Sequence, residues 1–62
     1  MRRKFKLVKI LFNTGMEKVI NNATLTPDTR GYHIKTEDDQ YLFIPLYNIL
    51  YISMEGEEKD TK

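Results

Sequence analysis

The side chains that could do chemistry are few and scattered. His33 is the single histidine and Ser53 the single serine, and cysteine is absent. One imidazole without a thiolate cannot assemble a zinc site within one copy, and a serine with no histidine near it in sequence does not suggest a hydrolytic triad. Glu37, Asp38 and Asp39 form the only acidic run between two apolar segments. Carboxylates so placed either shape a turn or meet a cation or a basic partner, which makes these three candidate docking residues. The glycines stand alone at 15, 31 and 56, so no phosphate-cradling loop can be built. The pattern predicts a protein that is not an enzyme and uses no cofactor or metal.

Binding is better supplied than catalysis. Tyr32, Tyr41, Phe43, Tyr47 and Tyr51 crowd the second half of the chain. Tyrosine buries a large ring while keeping a polar tip, a property used at interfaces and on surfaces that stack bases. The net charge is only +1, yet residues 1–18 carry +5 and the remainder −4. A basic segment at one end and an acidic one at the other can meet phosphates or a neighbouring subunit. Arg2, Arg3, Lys4 and Lys6, together with Tyr32, are the candidate nucleic-acid contacts.

The elements that would position these residues read mainly as strands. Residues 5–12 are rich in β-formers, and the apolar positions slip from Phe5 and Leu7 to Val8, Ile10 and Phe12, which predicts a bulge near Leu7 and Val8. Asn13, Thr14 and Gly15 predict a tight turn. The segment MEKVINNATL admits either a returning strand, the preferred reading, or a short helix over residues 16–22 capped by Thr14 and Glu17. TPDTRG, residues 26–31, predicts a turn in which Pro27 presets φ and Gly31 takes the left-handed region. A hairpin around Asp38 and Asp39 pairs Ile34 with Phe43 and Thr36 with Tyr41. Leu46, Tyr47 and Asn48 form one 3₁₀ turn, a last strand follows to Met54, and EGEEKDTK is expected to be a disordered polar tail.

Residues 41–54, YLFIPLYNILYISM, are apolar at successive positions and not at alternate ones. A half-buried strand shows one apolar face, so a second apolar face implies a second cover. Leu42, Ile44, Leu46, Leu50 and Ile52 are assigned to that face as an oligomer interface. A 62-residue chain buries only about 60% of the surface it exposes when unfolded and has no disulfide to help, which also favours self-association.

Five short antiparallel strands with a 3₁₀ turn before the last resemble the small SH3-like or Sm-like barrel. The turn glycine Gly15 and the segment IPLYNILYI, entering the last strand, look like the corresponding parts of Sm-like domains. The second strand offers only Asn21 and Asn22 where that family carries its RNA-binding loop residues. FIPLYNILYISMEG is also similar to the opening of LytTR-type DNA-binding domains, the rest of which the chain lacks. The expected organisation is one all-β domain over residues 1–54 with a basic N-terminal arm and a tail over 55–62; the alternative is an α+β domain with the 16–22 helix. Three functions remain open. One is a non-catalytic module that self-associates as a dimer or ring and binds a partner protein. The second is an oligomeric Sm-like binder of single-stranded nucleic acid. The third is a small inhibitor or adaptor of the kind that phages and mobile elements encode. With no apolar run long enough to span a bilayer, a cytoplasmic protein without a membrane partner is expected.

Overall fold

The computed structural model describes residues 2–58. It is all-β apart from one 3₁₀ turn: β1 (Arg3–Phe12), β2 (Glu17–Asp28), β3 (Gly31–Lys35), β4 (Tyr41–Pro45), the turn η1 (Leu46–Asn48) and β5 (Ile49–Glu58). The strands form one antiparallel sheet in the order β4-β3-β2-β1-β5. Residues 16–22 are therefore not helical. They carry β2, returning from a turn in which Gly15 takes φ 96°.

The connection between the sheet's two edges dictates its curvature. Pro45 and Ile49 are four residues apart, a reach of at most about 14 Å, whereas the edges of a flat five-stranded sheet stand about 19 Å apart. The sheet must curl toward itself at this end. Backbone bonds hold the corner: the Leu46 amide donates to the Arg30 carbonyl (2.9 Å) and the Asn13 amide to the Asn48 carbonyl (3.0 Å). The Asn13 side-chain amide adds a bond to the Tyr47 carbonyl (2.7 Å). No ladder joins β4 to β5, so the sheet is curled and not closed.

Those bonds place the two ends of β2 near one short turn, although a straight strand of its length would separate them by about 36 Å at ~3.3 Å per residue. β2 bends at Asn22, whose φ is 55°. Asparagine is among the few residues other than glycine that visit this region readily. The same line crosses the neighbouring strands at Lys6 and at Gly56, where φ is 69°. The bulge expected at Leu7 and Val8 is replaced by this fold line. Phe5 and Val8 in β1, and Ala23 and Ile20 in β2, are all buried at a spacing of three, yet the pairing stays in register because both strands skip a residue together. A genuine shift occurs between Leu11 and Phe12 against β5, where Leu50 is the extra residue.

Phe5, Val8, Ile10, Ile20, Ala23, Leu25, Ile34 and Ile44 form the core, with Phe12, Tyr32, Leu42, Ile49 and Ile52 packed against it. Gly31 is required by close approach, not by a positive φ: a Cβ there would stand 2.2 Å from the Ile44 carbonyl oxygen. The expected 26–31 turn shrinks to Thr29 and Arg30, because β2 runs through Pro27, opposite Tyr32. β1's ladder has ended at Leu25, which leaves β2 an edge position where a missing amide is tolerated.

The β3–β4 hairpin is one residue out of the expected register, with His33 opposite Phe43 and Ile34 opposite Leu42. Asp39 takes φ 65°, which makes a three-residue loop of Glu37, Asp38 and Asp39 in place of a two-residue one. The tail expected from residue 55 is also revised. β5 continues to Glu58, because Glu55, Glu57 and Glu58 pair with Leu7, Phe5 and Lys4 of β1. Residues 59–62 of that expected tail lie outside the described residues.

Candidate functional site

Residues 41–54 present two faces, as their composition requires, but the strands sort them differently from the sequence assignment. Ile44 is buried in the core, and Leu42 and Ile52 pack on it. Leu46 and Leu50 are exposed. The five proposed interface residues are thus divided between the chain's own core and its surface. The outward apolar set is instead Tyr41 and Phe43 on β4, Leu46 and Tyr47 on η1, and Leu50 and Tyr51 at the start of β5. Tyr41 is 75% and Tyr47 79% exposed, so neither ring is covered by the chain's own core. Sequence alternation had separated Tyr41 and Phe43 from Leu42 and Ile44 correctly. Only the packing decides which pair faces in.

Two of the candidate nucleic-acid residues, Arg3 and Lys4, are paired within the chain, while Arg2 is exposed just ahead of β1. Arg3 donates two hydrogen bonds to the Glu57 carboxylate, at 2.8 and 2.9 Å, and lies over the Phe5 ring. Lys4 reaches Glu58 at 3.8 Å. The expected basic arm is therefore the start of β1, and the acidic end it meets belongs to its own chain. Glu57 raises the Arg3 pKa, chiefly through the hydrogen bond. Lys6 lies over Gly56, whose missing side chain makes room for its stem. Tyr32 packs on the core and is half-buried, two ladder positions beyond the row that joins Leu25 to Arg3.

The hairpin tip does ordinary turn work. Thr36 donates through its hydroxyl to Asp38, the Gln40 amide donates to the Thr36 hydroxyl (3.1 Å), and the Asp39 amide donates to the Thr36 carbonyl (3.1 Å). Lys35 reaches Asp39 at 3.4 Å and lies over the Tyr41 ring. Glu37 accepts a bond from the Asn22 side chain, 3.3 Å away. His33 is on β3 and Ser53 on β5, and the partner of the imidazole is Asp28 and not Ser53. The His33 Nε2 lies 2.9 Å from Asp28, and the ring stacks at a tilt on Phe43. The His33 contact, followed by the Thr29 amide, holds the Asp28 carboxyl below the usual carboxylate range.

No protein-family model, curated protein or solved structure matches the chain. The surface must therefore be read from its own geometry.

That geometry includes one feature the sequence reading missed. β3 pairs with β2 only from Thr24 to Asp28, so residues 17–21 have β1 on one side and an open flank on the other. The flank faces the hairpin tip across a shallow groove of about 500 Å³, lined by residues 18–21, Thr36–Asp38, Gln40 and Leu42. The adjacent asparagines Asn21 and Asn22 were the available signal, since one of them in the left-handed region turns β2 away from β3. Among the described residues no helix is long and apolar enough to cross a membrane.

Proposed function

We propose that this protein is a non-catalytic interaction module, a small β-domain of SH3-like or Sm-like kind that works in the cytoplasm and self-associates through the outward apolar set of residues 41–51. The observation that carries this reading is the exposure of Tyr41, Phe43, Leu46, Tyr47, Leu50 and Tyr51 on two strands with free edges and the turn between them. Exposed large side chains bordering an unpaired strand edge favour pairing with another chain, because ladder hydrogen bonds and apolar burial are gained together. The sheet order and the 3₁₀ turn before the last strand support the architectural part of the proposal. The internal neutralisation of Arg3 and Lys4 favours a protein partner over nucleic acid, since phosphates would first have to displace Glu57 and Glu58.

Light scattering coupled to size-exclusion chromatography tests the reading. The wild-type chain should elute as an oligomer that survives high salt, and Tyr41→Lys with Phe43→Lys, or Leu50→Asp with Tyr51→Asp, should yield a folded monomer. These side chains contribute little to the chain's own core, so the thermal transition of the monomer need not collapse. A monomeric wild type would reject self-association.

A further inference from the structure

A shallow groove opens beside the first half of β2. In an antiparallel strand about half of the backbone amides and carbonyls point to each side, so residues 17–21, paired with β1 alone, present unpaired groups to the groove. Asn22 causes the opening. Its left-handed backbone turns the first half of β2 away from β3, and its side-chain bond to Glu37 fixes the hairpin tip at the groove's end. The hairpin tip bounds the opening on its far side, so an extended segment added to β2 would meet the side chains of the tip.

The lining specifies that segment. Lys18 and Ile20 are two residues apart and share a face; Ile20 belongs to the core, so the half-buried Leu42 supplies the apolar surface of the groove. Glu37 and Asp38 stand at the Asn22 end, the opposite end from Lys18. The groove is thus basic at one end, apolar in the middle and acidic at the other, repeating at every second residue of an added strand.

We infer that the groove between the free flank of β2 and the β3–β4 tip binds an extended peptide of a partner protein, added antiparallel to residues 18–22, with the alternating pattern basic, x, apolar, x, acidic. The basic residue meets Glu37 and Asp38, the apolar one covers Leu42, and the acidic one meets Lys18. Main-chain bonds to β2 hold the peptide, and the three side chains select it. This role rests on the reading as an interaction module but not on self-association.

The probe is the synthetic peptide Lys-Thr-Ile-Thr-Glu, blocked at both ends, titrated into the ¹⁵N-labelled wild-type chain. Saturable amide shifts should be confined to residues 17–22 and 36–42. The reversed peptide Glu-Thr-Ile-Thr-Lys, which mismatches both charged ends, should bind about tenfold more weakly or worse, a decade corresponding to about 1.4 kcal/mol. Methylating the peptide's backbone nitrogens at alternate residues should abolish binding in one of the two phases. The variant Lys18→Glu with Glu37→Lys should invert the preference between the two peptides, with its fold checked in the same spectrum. Absence of saturable shifts, equal affinity for both peptides, or shifts centred on Tyr47 to Tyr51 would overturn the inference. An oligomer whose groove takes no peptide would reject this role and leave self-association standing; a peptide-binding monomer would do the reverse.

Discussion

The two ends of β1 are held by different physics. At Val8 and Ile10 the strand lies between β2 and β5 with its inward side chains wholly buried, Val8 between Ile20 and Met54 and Ile10 between Lys18 and Ile52. At Arg3 and Lys4 the same strand makes the same ladders, but its side chains are exposed and paired with Glu57 and Glu58. Burial of an aliphatic side chain contributes about 1.5–3 kcal/mol, whereas exposed ion pairs contribute about 0–1 kcal/mol and fade with salt. The charged end therefore orients the chain's two extremities without anchoring them, and most of the stability resides at the apolar end.

This contrast breaks most readily at the core. Ile34→Ala or Ile10→Ala should cost about 2–5 kcal/mol, enough to leave so small a domain largely unfolded, as denaturant titration would show. Gly31→Ala should cost about 1–3 kcal/mol as an overpacking change, since the new methyl cannot coexist with the Ile44 carbonyl unless β3 and β4 part. At the fold line, Asn22→Val should lose about 1–2 kcal/mol for a left-handed residue with a branched side chain, while Asn22→Gly should be nearly neutral. Equal midpoints for these two would show that the bend does not depend on Asn22.

The charged end should respond weakly. Arg3→Ala or Glu57→Ala should shift the thermal midpoint little and only at low salt. A large, salt-independent loss would show that the pair anchors the fold after all. The smallest effect is expected at Asp28. Its folded pKa is depressed, so its contribution is present above the ordinary carboxylate range and is lost as pH falls through the folded value. Asp28→Asn should flatten that acid limb slightly and leave neutral stability almost unchanged.

The strand content was readable because β-formers, turn residues and Pro45 act locally: all five strands, the Gly15 turn and the 3₁₀ turn at Leu46–Asn48 follow from neighbouring residues. What escaped depends on contacts distant in sequence. The hairpin register turned on whether Asp39 would enter the left-handed region, a choice worth one residue of pairing. The acidic stretch 55–58 reads as a tail until β1 is placed beside it, 54 residues away at Arg3 and Glu57. The lysine-rich start reads as a phosphate-binding arm for the same reason. In the binding surface, the existence of two apolar faces over 41–54 was legible, but which one is buried follows only from where β3 and η1 sit.

The pairing of β5 with β1 also sets an order of events. As the chain is made, β1 to β4 can form their hairpins from adjacent segments, but β1 keeps one bare edge until the last strand exists. Non-local pairings of this kind close slowly, because the entropy of a long loop is lost before any contact repays it. Docking of β5 is the expected rate-limiting step of folding, and until it is complete the growing chain exposes Val8 to Phe12 along an open strand edge.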